Sequence, residues 1–393
     1  MHIESIVNSV YDKAVAHRRW LHAHPELSGE EKESAAYIAA ELRKLGLEPK
    51  ENVGGYGVTA VIEGKPGEKC VGLRADFDAL SIQEETGLPF ASQNPGVCHA
   101  CGHDVHAGML LGAAEVLLQL RDQFTGKVKL IFQPSEENAA DSGSKRMIAD
   151  GALEDPKVDV IFGQHVSTSY PTGTIAFKSG AMSASSDRFF ITIKGKSAHG
   201  SAPSDGVDAV VIGAQVICAL QSIVSRSVSP KECVVLTIGK VAGGDRYNII
   251  PDSFSMEGTC RTVNAKVQAQ IPGRMEAIIK GITEGMGGSY EFTYINGFIP
   301  TVNDPALFET VLATAQKELG QEQVKIQEKS SMGGEDFAFF AKEVPGNFFM
   351  LGCREPGADY VPAHNGKFSP HEEAMRYGIK LMVLNALTYL AED

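Results

Sequence analysis

Residues 127–137, which read KVKLIFQPSEE, are the segment that decides the fold. The β-branched and aromatic residues up to Gln133 predict a strand. The chain then runs directly into two adjacent carboxylates, Glu136 and Glu137. Carboxylates placed just beyond a buried strand are unusual, so this segment predicts a sheet whose strand ends carry functional groups.

Two further predicted strands also end in polar side chains. Residues 70–75 lead into Asp76 and Asp78, and residues 158–163 lead into His165. Because predicted helices alternate with these strands, the pattern indicates an α/β fold with a mostly parallel sheet. Ligands of open α/β sheets collect beyond the carboxyl ends of the strands. We therefore expect these polar groups to lie together.

Residues 98–106, CHACGHDVH, hold two Cys, three His and one Asp. This density of ligand-type side chains predicts a metal site completed by other segments. If the strand ends converge, the candidate ligands are Cys101, His103, Glu137, His165 and His364. Thiolate and imidazole ligands favour zinc, cobalt, nickel or manganese over calcium or magnesium. Five ligands are too many for one tetrahedral zinc with an open position, so they predict two ions that share a bridge.

The same stretch permits another class of protein. Cys98 and Cys101 have the C-x-x-C spacing of a redox pair or of half a structural zinc site. A redox pair normally belongs to a much shorter chain, and the sequence has no second C-x-x-C. The spacing therefore leaves a redox or non-catalytic metal-binding protein as a remote alternative.

Composition limits the other possibilities. The chain has 393 residues, enough for two or three domains, and is 43% hydrophobic, as in globular proteins. Its formal charge of -13 argues against nucleic acid as a partner. The N-terminus lacks a signal-peptide pattern, and the apolar window 207–220 contains Asp208 and is short for a bilayer. We therefore expect a cytoplasmic protein, no membrane partner, and seven reduced cysteines.

The pattern changes near Ala181. Residues 188–295 give the order β-α-β-β-α-β, which is typical of a small ferredoxin-like α+β domain. The simplest organisation is a discontinuous catalytic domain, residues 1–182 and 297–393, that is interrupted by an inserted domain, residues 183–296.

The N-terminal region predicts helices with structural roles. Residues 4–20 predict an amphipathic helix, and the three histidines of residues 17–26 are interpreted as structural because Pro25 breaks the helix. Ser28 and Glu31 have the spacing of a capping box that opens the next helix, which we expect to continue to Leu45.

Taken together, these motifs resemble the aminoacylase/carboxypeptidase-type dinuclear metallopeptidases, and within them the amidohydrolase subgroup of hippurate and indole-acetyl-amino-acid hydrolases. The resemblance covers essentially the whole chain and includes several separate motifs in order. They are residues 17–26, 73–80, 99–106, 133–137, 195–208, 248–261, 333–337 and 364–365. The family implies a zinc-peptidase-like catalytic domain with an inserted lid or dimerisation domain.

The resemblance also implies roles for the catalytic-domain residues. Cys101 matches the ligand that bridges two divalent ions (Mn, Zn, Co or Ni), and the other four candidate ligands match the terminal ligands. Glu136 matches the general base that activates the metal-bridging water. Asp78 matches a supporting acidic residue two positions beyond a His ligand. That His position reads Asp76 here, so Asp76 is given no metal role.

In the inserted domain, the resemblance assigns residues to the substrate. His199 matches a residue that reaches the partner subunit's active site and stabilises the oxyanion, which implies a homodimer formed through this domain. Asn248 and Arg261 match groups that hold the substrate carboxylate, a role suited to the fork of a guanidinium. Outside the inserted domain, Gly334, in the Gly333–Phe337 motif of the predicted catalytic domain, is expected to contact the substrate.

The resulting prediction is a metal-dependent hydrolase of N-acyl amino acids, with a dipeptidase or carboxypeptidase of the same family as the alternative. Three departures from the subgroup pattern occur, at Cys98, at residues 138–143 and at residues 165–169. The last two border the expected site, so the acyl-group preference stays open.

Overall fold

The computed structural model describes residues 3–391 and divides the chain into two compact units. The first unit comprises Met1–Met182, Val302–Lys329 and Asp336–Asp393, and the second comprises Ser183–Thr301 and Ser330–Glu335. Residues 297–301 and 330–335 therefore belong to the second unit, although the sequence analysis placed them in the catalytic domain.

The first unit has helices on an eight-stranded sheet. Its elements are α1 (Ile3–Ala23), α2 (Lys32–Lys44), β1 (Lys50–Val53), β2 (Gly57–Glu63), β3 (Lys65–Asp76), α3 (His103–Leu120), β4 (Thr125–Gln133), α4 (Gly143–Ala149), β5 (Val160–Pro171), β6 (Ile175–Phe177), β7 (Gly180–Ala181), β14 (Val302–Asn303), α7 (Pro305–Leu319), β15 (Val324–Ile326), α8 (Phe337–Glu343), β16 (Gly346–Arg354) and α9 (Ala374–Ala391).

The strand order of this sheet is β1-β2-β4-β3-β5-β16-β6-β15. Its central strands, β4, β3, β5 and β16, are parallel, whereas β1, β2 and β6 pair antiparallel to their inner neighbours. Helix α3 is buried on almost every side, in keeping with its mostly apolar sequence, and packs against α1 and α9. This buried helix and the parallel strands form the rigid core that positions the polar residues at the strand ends.

One local expectation about the strands is wrong. His165 does not follow the end of a strand but lies in the middle of β5. The reason is that β16 pairs with β5 from Ile161 to Pro171, so the ladder continues through the polar residues.

The predicted capping box is also wrong. Helix α2 begins at Lys32 with Glu31 at its N-cap, and Glu31 makes no side-chain capping hydrogen bond. The carboxylate of Glu26 instead accepts hydrogen bonds from the backbone N–H groups of Glu33 (3.0 Å) and Ser34 (2.8 Å). Glu26 therefore satisfies the helix terminus and leaves the Glu31 side chain available for another contact.

The second unit contains β8 (Ser186–Lys194), β9 (Ala198–His199), α5 (Ala209–Ser222), β10 (Val234–Gly243), β11 (Ile249–Ile250), β12 (Ser253–Thr262), α6 (Ala265–Gly285) and β13 (Ser289–Phe298). Its four-stranded antiparallel sheet has the order β10-β12-β8-β13, with α5 and α6 packed on it. This is the β-α-β-β-α-β arrangement of a ferredoxin-like domain.

Helix α5 continues through a π-helical turn, so that the helical stretch 209–227 is longer than the window judged too short for a bilayer. By length and composition alone, this is the one stretch of residues 3–391 that could cross a membrane. Its Ile212, Val216 and Leu220 are buried in the core of the second unit. A single such helix is weak evidence for a membrane span.

Candidate metal centre and active site

The short segment before α3 fixes the first two candidate ligands. Gly102 has a φ of 91°, a left-handed conformation that glycine adopts without strain. A Cβ at this position would lie 2.4 Å from a methyl carbon of Val166, so packing also requires glycine. The turn leaves Cys101 just before the helix and makes His103 its first residue, with both side chains buried.

The five candidate ligands form two groups that share Cys101. Ligand atoms of Cys101, His103 and His165 lie within 4.8 Å of one another, and so do those of Cys101, Glu137 and His364. The Cys101 Sγ is 3.3 Å from Nε2 of His165, and Glu137 Oε1 is 3.1 Å from Nε2 of His364. The structure therefore brings together all five predicted ligands, although their segments are far apart in the chain.

Hydrogen bonds orient His103 toward these groups. Its Nδ1 donates to Oδ1 of Asp78 (3.1 Å), while its buried Nε2 finds no hydrogen-bond partner among residues 3–391. The other carboxylate oxygen of Asp78 accepts the N–H of Glu137 (3.0 Å) and the hydroxyl of Ser28 (2.7 Å). Burial alone would raise the pKa of Asp78, but the bond from His103 lowers it. Asp78 thus orients one candidate ligand and holds the backbone of another.

The peptide groups of Val166 orient two more histidines. His165 Nδ1 donates to the Val166 carbonyl (2.7 Å), which leaves its Nε2 lone pair facing Cys101. His106 accepts the Val166 N–H at Nε2 (2.9 Å) and donates from Nδ1 to Asp76 (2.5 Å), so it is neutral and both nitrogens are engaged. Burial lowers the pKa of both imidazoles. His165 can therefore bind a metal, whereas His106 supports the site.

Arg74, which is entirely buried in β3, links three polar side chains of the first unit. Its guanidinium donates to Gln133 Oε1 (2.7 Å), Asp76 Oδ2 (2.7 Å) and Asp336 Oδ1 (2.8 Å). Asp336 in turn accepts two hydrogen bonds from the Gln133 amide, each of 2.8 Å. This network could not be predicted from local patterns, because Arg74 and Asp336 are 262 residues apart in the chain.

Glu136 stands beside the metal groups. The residue is only 6% exposed, and one of its carboxylate oxygens lies within 4.8 Å of ligand atoms of His103 and Glu137. The preceding residue, Ser135, has a φ of 53°, which is rare for a residue with a side chain. Glu31 Oε1 accepts both the N–H (2.7 Å) and the hydroxyl (3.1 Å) of Ser135.

His364 approaches from a loop near the C-terminal end of the unit. Its φ is 62°, and its N–H donates to the carbonyl of Ala100 (2.8 Å). Hydrogen bonds with Cys101 and Glu137 raise the pKa of His364 to about 10, and burial raises the pKa of the Cys101 thiol. Both groups must lose a proton to bind a metal ion.

The four predicted residues of the second unit form two separate groups. His199 in β9 is exposed and pairs with Ile249 of β11, and the Gly200 N–H donates to the Asn248 carbonyl (2.8 Å), so His199 and Asn248 lie on one ribbon. Arg261 donates to the Met332 carbonyl (3.0 Å) and so holds the segment that contains Gly334.

A buried ionic network underlies residues 98–106. Asp104 accepts hydrogen bonds from Arg18 Nε (3.0 Å) and His22 Nδ1 (2.9 Å), and His22 Nε2 bonds Glu84 (3.1 Å). His22 thus has a structural environment, as the analysis of residues 17–26 expected. His99 is buried nearby, and burial lowers its pKa to about 4.

Comparison with known proteins identifies the family. Residues 72–387 match peptidase family M20/M25/M40. The chain belongs to this peptidase family. The N-acyl-L-amino acid amidohydrolase of Geobacillus stearothermophilus is 42% identical over 77% of this chain and 80% of its own length. Thermostable carboxypeptidase 1 of Saccharolobus solfataricus is 36% identical over 98% of both chains.

A solved M20 structure gives the same result for the fold. The Bacillus subtilis YXEP protein, a dinuclear metal-binding peptidase of this family, superimposes with a TM-score of 0.84. It is 34% identical, and the match covers 98% of this chain and 99% of the other. The predicted family, the predicted α/β fold and the prediction of an enzyme that hydrolyses amide bonds are therefore confirmed.

Proposed function

We propose that this M20 enzyme hydrolyses N-acyl amino acids to a carboxylic acid and a free amino acid. The observation that carries this proposal is the pair of ligand groups that share Cys101, with the buried carboxylate of Glu136 beside them. The Geobacillus amidohydrolase, 42% identical, supports acyl-amino acids as the substrate class.

The donor set fits two divalent ions. Cys101 would contact both ions, with His103 and His165 in one group and Glu137 and His364 in the other. Thiolate and imidazole donors suit zinc, cobalt, nickel or manganese. When bound, such ions polarise a carbonyl and make a water molecule acidic enough to act near neutral pH.

The chain's own residues supply the proton transfers. Glu136 acts as the general base that removes a proton from the attacking water and then returns it to the leaving amide nitrogen. Asp78 keeps the Nδ1 proton of His103 in place, so that Nε2 stays available as a ligand. The burial of Glu136 limits competition from bulk water for its proton.

The second unit supplies substrate contacts in this proposal. Arg261 and Asn248 bind the free carboxylate of the amino acid, and Gly334 presents its backbone to the substrate. His199 donates a hydrogen bond to the oxyanion in the partner subunit of a homodimer. The exposure of His199 at a unit surface is consistent with a role toward a second chain.

Replacement of Glu136 by Gln tests the mechanism. The amide keeps the shape of the side chain but cannot accept the proton, so turnover should fall by about 10²–10⁴-fold. Metal content, measured by mass spectrometry on protein purified under reducing conditions, should stay at the wild-type level. Glu137→Gln is the matched control, because it should lose metal as well as turnover. Wild-type turnover in Glu136→Gln would exclude the proposed base.

The second candidate is a carboxypeptidase or dipeptidase, which the 36% identical Saccharolobus carboxypeptidase favours. A panel of acyl-amino acids and matched dipeptides separates the two, because the dipeptides carry a free amine at the position of the acyl group. A higher kcat/KM for dipeptides would replace the amidohydrolase with this second function.

The remote alternative, a redox enzyme that uses Cys98 and Cys101, is tested by the variant Cys98→Ser. The hydrolase should keep full activity in this variant, whereas a dithiol enzyme would lose it.

A further inference from the structure

Ser135 has an unfavourable backbone conformation directly before the two carboxylates of the site. Its φ of 53° lies in the left-handed region, where the Cβ of an L-residue meets the backbone. Ser135 is fully buried and directly precedes Glu136 and Glu137. Since the backbone at Ser135 sets the direction in which the chain leaves, it also sets where the two carboxylates begin.

Two buried carboxylates hold this turn from its N–H side. Glu31 Oε1 accepts the N–H (2.7 Å) and the hydroxyl (3.1 Å) of Ser135. Asp78 accepts the N–H of Glu137 two residues later (3.0 Å). Arg146 donates to the Ser135 hydroxyl oxygen (2.9 Å), so the serine side chain is held on both sides.

The Glu31 carboxylate contacts the turn at Ser135 and does not cap its own helix. It occupies the N-cap of α2 without capping it, because Glu26 accepts the N–H groups of the first turn. Its side chain is fully buried, and its second oxygen, Oε2, finds no hydrogen-bond partner among residues 3–391. A buried carboxylate is unfavourable unless hydrogen bonds compensate, and the two hydrogen bonds from Ser135 provide part of that compensation here.

We propose that Glu31 is a positioning residue for the general base, and that it acts by holding Ser135 in the left-handed conformation. This inference rests on the proposed function of Glu136. Without the two hydrogen bonds, Ser135 relaxes toward a negative φ and the Glu136 carboxylate moves away from the attacking water. Glu137 is held independently by Asp78 and His364, so metal binding should persist.

The first test replaces Glu31 by Ala and by Gln. Misplacement of a reacting group by about 1 Å costs about 10²-fold in rate, so kcat of Glu31→Ala should fall about 100-fold. Glu31→Gln keeps an acceptor oxygen but loses the charge, so its kcat should fall about tenfold. KM and metal content should change little in both variants. Glu30→Ala, one residue away and exposed, is the control and should keep wild-type kcat.

The second test asks whether Glu31 acts through the conformation of Ser135. Glycine adopts positive φ without strain, so Ser135→Gly should remove much of the need for the two hydrogen bonds. The double variant Glu31→Gln/Ser135→Gly should therefore have a higher kcat than Glu31→Gln alone. A merely structural Glu31 would lower the unfolding temperature without any such rescue of kcat.

The outcomes separate the inference from the proposed function. Wild-type kcat in Glu31→Gln, or a double variant no faster than Glu31→Gln, would overturn the positioning role even when Glu136→Gln is inactive. Loss of metal from Glu31→Gln would also contradict it, because Glu31 would then act on the ligands. If Glu31→Ala does not fold, Glu31→Gln and the double variant carry the test alone. An active Glu136→Gln enzyme would instead overturn the proposed function itself.

Discussion

At the scale of single residues, Arg74 is expected to contribute more to the stability of the fold than the carboxylates it binds. Its guanidinium lies between the buried carboxylates of Asp76 and Asp336. Arg74→Met would remove the buried guanidinium that the two carboxylates share and should lower the free energy of unfolding by about 3–5 kcal/mol. Asp336→Asn keeps the Arg74–Asp76 pair and should cost only about 1–2 kcal/mol.

Urea unfolding measures this difference in stability. The fluorescence of Trp20, the only tryptophan of the chain, reports the unfolding of the first unit, because Trp20 lies in α1. Equal losses of stability in the two variants would contradict this prediction, since they would mean that Asp336 contributes as much to the network as Arg74.

The candidate ligands and the candidate base were easier to predict than the hydrogen bonds that hold them in place. Strand-end polarity and ligand chemistry predicted Cys101, His103, Glu136 and Glu137, which the structure brings together. The role of Glu31 could not be predicted, because its local pattern with Ser28 matches a capping box while its actual partner is 104 residues away. Sequence patterns report neighbours along an element, and these supporting contacts are long-range.

At the scale of elements, His22 links α1 to the N-terminal turn of α3 through Asp104 and to a loop through Glu84. Burial would lower the pKa of His22, but Asp104 and Glu84 raise it to about 9. A raised pKa means that the protonated histidine stabilises the fold fully below its unfolded pKa of about 6.5. This contribution, on the order of 3 kcal/mol, is lost as the pH rises from about 6.5 to about 9.

The comparison of wild type with His22→Gln tests this linkage. The difference between their unfolding free energies should be largest near pH 6 and should shrink toward pH 9. Urea titrations at three pH values, followed through Trp20, give the difference directly. A difference that stays constant over this range would show that His22 is not charged in the folded protein.

Strand and helix boundaries show how tertiary pairing overrides local pattern. His165 was predicted to follow the end of a strand, yet β5 continues to Pro171 because β16 pairs along it. The alternation of strands and helices, by contrast, depends on residues close in sequence, and it predicted the α/β class.

At the scale of the whole molecule, the proposed role of His199 in the partner's active site makes the dimer the active species. His199→Ala and Glu136→Gln chains should each be almost inactive alone. A heterodimer of the two would contain one complete site and one doubly defective site, so it should recover about half of the wild-type activity. Verified heterodimers without recovered activity would contradict action in trans.

The strand order of the first unit also determines when the enzyme can be completed during synthesis. β5 needs β16 as a neighbour, yet β16 is made only after the entire inserted segment of the second unit. The second unit, whose strands and helices are continuous in sequence apart from residues 330–335, can fold while β5 still exposes an open edge. His364 follows later still. The nascent chain therefore cannot assemble the full set of proposed metal ligands until the second unit, β16 and finally His364 have all been made.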